Sequence, residues 1–138
     1  MASYWLFKEE PSHYSFDNLL KDGKTVWDGV ENNLALKYLR SVKKEEEAFF
    51  YHTGDEKAIV GIMKVVSDPY PDPKKQDKRY VVVDVVPVRK LKRPVTLQQV
   101  KKDKFFSGFE LIRLPRLSVL PVSEKFWKRI LEIAELQL

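Results

Sequence analysis

Hydrophobic residues follow two patterns along the chain: dense apolar runs, and stretches in which apolar residues recur every three or four positions. The dense runs are rich in β-branched and aromatic residues, which is typical of buried strands. They predict five strands, at residues 4–7, 48–52, 58–67, 79–91 and 116–122. Asp84 and Pro87 interrupt the fourth run, and Pro87 favours an edge or a bulge there. Because the second and third runs are almost continuously apolar, their strands should be covered on both sides or wrapped into a barrel.

The helical periodicity predicts four helices, and each is preceded by a side chain that can accept a hydrogen bond from a free amide of the first turn. The predicted caps are Ser15, Asn32 or Asn33, Thr96 and Ser123. The first helix should end at Gly23 and the second near Val42, while residues 94–100 open the third. The last helix carries an apolar stripe of Phe126, Ile130 and Ala134, with Trp127 and Leu131 beside it.

Turn-forming residues separate these elements. Loops are predicted at residues 26–30 and 68–73, and a turn at residues 53–55 joins the second and third strands. The apolar stretch at residues 105–112 carries no clear periodicity. The order of elements is strand, helix, helix, several strands, helix, strand and helix. It indicates one α+β domain spanning residues 1–138, a small mixed sheet or barrel flanked by helices.

Composition agrees with one folded domain, since 43% of the 138 residues are hydrophobic and 33% are charged. The net charge of +5 and the isoelectric point near 9.3 permit a polyanionic partner. The densest basic stretch is residues 89–93, followed by Lys101, Lys102 and Lys104. Two interpretations of this stretch remain open: contact with a nucleic-acid backbone, or ordinary solvated surface.

Several function classes are disfavoured. There is no cysteine and there are only two histidines, so thiolate chemistry is excluded and a zinc site is not expected. We expect no metal and no other cofactor. The N-terminus lacks the basic and apolar regions of a signal peptide, and no apolar run could span a bilayer. The sequence therefore predicts an intracellular, cytoplasmic protein without membrane contact, and a monomer.

Polar clusters occur where predicted strands and turns end. They are residues 8–11, residues 27–30 with Asn32, residues 51–52 and residues 116–119. If they converge, they form a concave site with an aromatic wall and with carboxylate, amide and hydroxyl groups. Such a wall stacks on a nucleobase, and the polar groups select among hydrogen-bonding edges.

Each cluster also has a simpler explanation. Trp27 would serve as a core side chain, and Asn32 as a helix cap. Lys8 would form an exposed ion pair of small energetic consequence. His52 would be a structural histidine, and Ser118 would bond the backbone.

The motifs add a resemblance that covers nearly the whole chain. They are WLFKEEP at residues 5–11, WDGVEN at 27–32, FFYH at 49–52, GI at 61–62, VRKLKRPV at 88–95 and RLSVLPV at 116–122. In this order they resemble the EVE domain family of the PUA-like superfamily. The resemblance implies a PUA-like pseudo-barrel of mixed strands with flanking helices.

The resemblance also implies a non-catalytic reader, which binds a methylated or oxidised cytosine or a methylated adenine of DNA or RNA in an aromatic-walled pocket. By position, the implied ligand-binding residues are Lys8, Glu10, Pro11, Trp27, Val30, Asn32, Tyr51, His52, Arg116, Leu117, Ser118 and Val119. The base would stack on Trp27 or Tyr51, and Asn32 would read its edge. Glu9 and Glu31 depart from the family pattern and make the rim more acidic.

Two other functions are compatible with the residues. The first is a nucleic-acid-modifying enzyme or hydrolase that uses Glu10, Asp28 and His52, although no phosphate loop or nucleophile motif supports it. The second is a protein-interaction domain whose pocket is vestigial.

Overall fold

The fold is built on a mixed sheet, which we describe from a computed structural model covering residues 3–136. The predicted domain span also includes residues 1–2 and 137–138, which lie outside the described residues. Within the described part there are seven strands, β1 to β7: Tyr4–Glu9, Thr25–Trp27, Glu47–His52, Ala58–Val65, Tyr70–Pro71, Val81–Thr96 and Val119–Val122. The five α-helices, α1 to α5, are Phe16–Asp22, Asn33–Ser41, Leu97–Lys102, Glu110–Arg113 and Glu124–Leu136, and a 3₁₀ turn spans Lys104–Phe106.

The sheet has the order β2-β6-β4-β3-β1-β7, with β5 paired to β6. Only the β1–β3 pair is parallel among these strands, and the other pairs are antiparallel. The register shifts twice between β4 and β6 and once between β3 and β4. Such bulges increase bending and twist, so the sheet curls into a half-barrel.

All five predicted strands form, and the bulge expected at Pro87 is present, because the register shifts where Met63 pairs with Pro87. The long strand β6 continues to Thr96, so residues 94–96 are strand and not the start of a helix. Strands β2 and β5 form within segments predicted as loops. Both are short and pair with β6. For β2 this partner is distant in sequence, so local sequence does not show it, whereas for β5 it follows directly after the loop at residues 72–80.

The predicted helix caps are confirmed. Ser15 and Thr96 each form a capping box, and Asn32, not Asn33, caps α2. Gly23 ends α1 with a φ of 77°, a left-handed conformation suited to glycine. The Ser123 hydroxyl accepts a hydrogen bond from the Phe126 amide at 3.3 Å.

A single hydrophobic core joins the sheet to the helices. Helix α5 covers one face, where the Trp127 ring stacks on Tyr4 and Phe49 with centroid distances of 4.4 and 3.9 Å. Ile130 and Ala134 of the predicted stripe are fully buried. None of the helices within residues 3–136 is both long and apolar enough to cross a membrane.

Candidate functional site

The C-terminal ends of β1 and β3 and the start of β7 lie next to one another at one end of the sheet. Because β1 and β3 are parallel, their C-terminal residues lie side by side, with Lys8 opposite Tyr51 and Glu9 opposite His52. Strand β7 begins beside them, and the Lys8 amide donates to the Ser118 carbonyl at 2.9 Å. Polar residues that are far apart in sequence are thereby brought together at the point where the apolar runs stop.

A cavity opens at this end of the sheet. Its volume of about 440 Å³ lies within the range of about 300–1,000 Å³ that is typical of small-molecule sites. We call it the central cavity. It is lined by Lys8, Glu9, Glu10, Tyr51, Thr53, Gly54, Lys57, Leu97, Lys101, Leu111, Pro115, Arg116 and Ser118.

Tyr51 forms part of the wall. The residue lines the cavity although it is only 3% exposed, and none of the hydrogen bonds found within residues 3–136 involves its hydroxyl. Burial raises the pKa of Tyr51 to about 12, which keeps the hydroxyl protonated and able to donate at neutral pH.

Lys8 lies against the same wall. Its ammonium is 5.4 Å from the centroid of the Tyr51 ring and donates to the Pro115 carbonyl at 2.9 Å. Burial lowers the pKa of Lys8 to about 8, because removal of water disfavours the charged form. At pH 7 the amine is still mainly protonated.

Glu10 places a carboxylate above the turn that follows β3. Its Oε1 accepts hydrogen bonds from the Ser12 amide at 3.2 Å and the Ser12 hydroxyl at 3.1 Å. Its Oε2 lies against Gly54, where an added Cβ would come within 2.6 Å of it. Gly54 also has a φ of +74°, which side-chain-bearing residues adopt at a cost. Glycine at this position therefore leaves room for the Glu10 carboxylate, which Ser12 holds.

The lining carries more positive than negative charge. Four cations, Lys8, Lys57, Lys101 and Arg116, face two carboxylates. Within the described residues, ion pairs involve none of these cations, which leaves their charges available to an anionic ligand. The two glutamates that depart from the family pattern each have a partner nearby. The Glu9 carboxylate lies 3.0 Å from His13 Nδ1, and the Glu31 carboxylate pairs with the Lys75 ammonium at 3.0 Å.

The first two residues of the basic stretch at 89–93 form ion pairs within the protein. Arg89 pairs with Glu135 at 2.8 Å and Lys90 with Asp17 at 2.9 Å, so these two charges are neutralised on the protein surface. Of the lysines that follow the stretch, Lys101 lines the central cavity.

Trp27 lies outside the central cavity. The residue is 5% exposed, and its ring packs against Phe7 and Phe50 at centroid distances of 5.4 and 5.2 Å. It borders a second pocket of about 280 Å³, lined by Glu9, His13, Tyr14, Thr25, Val26, Trp27, Asp28 and Lys74. Glu9 lies between the two cavities, and Val30 is buried in the core.

Asn32 is exposed, and its Oδ1 accepts the Ala35 amide at 3.0 Å, so its side chain is engaged as the cap of α2. It borders a third pocket of about 330 Å³, lined by Asn32, Leu34, Arg113, Leu114, Pro115, Arg116 and Leu117. Leu117 is 4% exposed and Val119 is fully buried.

His52 is a buried structural residue. Its Nε2 accepts the Phe16 amide at 3.1 Å, and its Nδ1 lies 2.8 Å from Glu56 Oε1. Both ring nitrogens are therefore occupied, and Nδ1 must carry the proton when Nε2 accepts. Asp28 borders the second pocket and faces Lys74 at 3.7 Å. The three groups suggested for catalysis, Glu10, Asp28 and His52, do not line one cavity.

Five of the twelve sequence-predicted site residues line the central cavity: Lys8, Glu10, Tyr51, Arg116 and Ser118. The other seven do not: Pro11, Trp27, Val30, Asn32, His52, Leu117 and Val119. Eight residues that line the central cavity are not among the predicted ligand-binding residues: Glu9, Thr53, Gly54, Lys57, Leu97, Lys101, Leu111 and Pro115. The turn directly after the Tyr51–His52 cluster could have indicated Gly54, whereas no local signal indicates Leu111.

Within residues 3–136, no three side chains among His, Asp and Glu are grouped so that they could hold a metal ion. What the cavity offers is one carboxylate acceptor from Glu10, several cationic donors, and hydroxyls that both donate and accept. Apolar surface lies between them.

Comparisons with known proteins agree with the sequence motifs. The family profile described as EVE domain matches residues 3–133. Thymocyte nuclear protein 1 of Rattus norvegicus is 33% identical over 169 aligned positions, covering 98% of this chain and 75% of that protein. Because the alignment is longer than this chain, the rat protein carries insertions within the aligned region.

Two solved structures are similar throughout. Protein Rpa0253 from Rhodopseudomonas palustris is 35% identical, with a TM-score of 0.92 over 99% of this chain and 96% of that one. The crystal structure of human THYN1 protein in complex with DNA containing 5-methylcytosine is 30% identical, with a TM-score of 0.91 over 99% and 100% of the two chains. These matches confirm the expected PUA-like pseudo-barrel with flanking helices.

Proposed function

Because the chain belongs to the EVE domain family, we propose that it is a non-catalytic reader that binds a modified nucleobase of DNA or RNA in the central cavity. The observation that carries the proposal is the cavity itself, a small-molecule-sized space at the polar ends of three strands with surplus positive charge. Nucleic acid is the polyanion whose base fits such a space and whose phosphates suit such a rim.

The polar groups favour bases that carry an exocyclic amine. Cytosine N4 and adenine N6 donate hydrogen bonds, and a carboxylate such as that of Glu10 accepts them. The ammonium of Lys8 and the hydroxyls of Tyr51 and Ser118 can donate to the ring nitrogen or carbonyl of the same base. Leu97, Leu111 and Pro115 supply apolar surface for the faces of the base and for an added methyl group.

The first ligand to test is 5-methylcytosine, since the related human THYN1 protein was solved in complex with DNA that contains it. Oxidised cytosine and N6-methyladenine follow. Extrusion of a base from a duplex costs a few kcal/mol, so a base in a single strand should bind more tightly than the same base in a duplex.

The aromatic wall in this proposal is Tyr51, and Trp27 is assigned to the core. None of the hydrogen bonds found within residues 3–136 involves the Tyr51 hydroxyl. The Trp27 indole, by contrast, packs against the rings of Phe7 and Phe50. A ligand in the central cavity is thus expected to contact the tyrosine and not the tryptophan.

The test measures fluorescence anisotropy with labelled single-stranded 11-mers that carry one central 5-methylcytosine or cytosine. The variant Tyr51→Phe keeps the ring and removes the hydroxyl. Loss of one hydrogen bond worth about 0.5–1.5 kcal/mol should weaken binding of the modified strand roughly 2- to 12-fold. The matched control is Tyr14→Phe, which removes a hydroxyl bonded to Asp22 beside the second pocket and should leave affinity unchanged. Equal and purely salt-dependent binding of modified and unmodified strands would refute base reading.

A further inference from the structure

The central cavity shares lining residues with its neighbouring pockets, and Glu9 alone joins it to the second pocket. It shares Pro115 and Arg116 with the third pocket. It also shares Lys57, Leu97 and Lys101 with a fourth pocket of about 440 Å³, which further includes Asp55, Glu56 and Gln98. The shared residues place the third and fourth pockets next to the central cavity. We use the term groove for the central cavity together with these two pockets.

Cations lie at both junctions of the groove. Lys57 and Lys101 stand at one junction and Arg116 at the other, and none of the three forms an ion pair with a described residue. A nucleotide within a strand has a phosphodiester on each side of it, whereas a free base or nucleoside has none. Positive charge on both sides of the cavity therefore matches a nucleotide that is part of a chain.

The third pocket adds apolar surface beside one junction. Leu34 is 39% exposed there, although it is a large apolar side chain, and Leu114 and Leu117 border the same pocket. Arg113 also lines it, and its one ion pair within residues 3–136 is a long 3.9 Å contact with Glu110. Apolar surface with a guanidinium beside it suits the face of a neighbouring base and the next phosphate.

We infer that the groove binds a single strand of at least three nucleotides, with the middle base in the central cavity and one neighbour in each flanking pocket. The place of the middle base rests on the proposed function. The path of the strand rests on the shared lining residues of the three pockets and on the cations that belong to them.

The test compares the nucleoside 5-methyldeoxycytidine with a 7-mer that carries 5-methylcytosine at its centre, by calorimetry and anisotropy over a range of salt concentrations. The double variant Lys57→Ala/Lys101→Ala should lower the slope of log affinity against log salt for the 7-mer by about 0.7, since one phosphodiester lies at that junction and each contacted phosphate of a single strand contributes about 0.7. Its affinity for the uncharged nucleoside, which has no phosphate, should fall by less than its affinity for the 7-mer. The matched control Lys92→Ala/Arg93→Ala removes two exposed cations of β6 outside the groove and should not change the slope.

A second variant tests the apolar end. Leu34→Asp introduces a negative charge in the first turn of α2, where the helix dipole tolerates it, so the fold should be retained. The 7-mer should bind at least threefold more weakly, and the nucleoside should bind equally well.

The inference is overturned if the nucleoside binds as tightly as the 7-mer and the salt slope is the same in the groove variant and the parent; base reading in the cavity would then survive alone. If the slope falls as expected but modified and unmodified 7-mers bind equally, the strand path is supported and the proposed reading fails. Absence of binding by both ligands overturns both.

Discussion

Adding a methyl group at Gly54 should displace the Glu10 carboxylate of the central cavity. An alanine Cβ at this position would lie 2.6 Å from Glu10 Oε2, a distance that real side chains do not adopt. The Glu10 carboxylate is the far end of a flexible side chain, so it should swing away at little cost. Gly54→Ala is therefore expected to displace the acceptor that we assign to the exocyclic amine of the base.

Two effects of Gly54→Ala can be separated in magnitude. The left-handed backbone at φ +74° should cost about 1–2 kcal/mol of folding free energy with any side chain. Separately, loss of a hydrogen bond to a charged group should weaken the free energy of binding by about 1.5–3 kcal/mol, which is about 10- to 150-fold in affinity.

The chain supplies matched controls. Gly23 and Gly108 also have positive φ, 77° and 85°, but an added Cβ meets no atom within 4 Å at either site. Gly23→Ala and Gly108→Ala should thus lose similar stability in urea denaturation and retain the parent affinity for the 5-methylcytosine strand. Glu10→Gln, which keeps the side-chain size, should weaken binding without the backbone cost. The reasoning is refuted if Gly54→Ala binds the strand as tightly as Gly108→Ala does.

Two further predictions concern Lys8 and His52. Because its pKa is lowered, Lys8 loses its charge near pH 8 in the folded protein, whereas the unfolded chain keeps this charge to about pH 10.5. Anisotropy titrations should therefore show strand affinity falling as pH rises above 8, and Lys8→Arg should abolish that fall. Since the unfolded chain binds this proton more tightly, Lys8 alone should make the free energy of unfolding increase between the two pKa values. An unchanged pH profile in Lys8→Arg would contradict the assignment. His52→Ala leaves the buried Phe16 amide without its acceptor and should cost at least about 1–3 kcal/mol in urea denaturation, whereas the exposed His13→Ala should change stability by less than about 0.5 kcal/mol. Strand affinity that falls in His52→Ala beyond the fraction unfolded would show that the imidazole does contact the ligand.

Sequence alone determined the features that depend on near neighbours. The caps at Ser15 and Thr96 were predicted correctly because the accepting side chain and the donating amide are three residues apart. The dense apolar runs predicted the strands because burial on both faces leaves little room for polar residues. The ordered motifs also identified the family, since they preserve the polar residues at several strand ends in turn.

Tertiary structure decided which of these polar residues share a cavity. Trp27 and Tyr51 are both aromatic residues at the end of a strand, and local pattern does not distinguish them. Phe7 and Phe50 pack against the indole, whereas the parallel β1–β3 register places Tyr51 beside Lys8 at the central cavity. The physical reason is that membership of a cavity depends on strand register and on contacts between segments twenty or more residues apart. Neither is encoded in the spacing of neighbouring side chains.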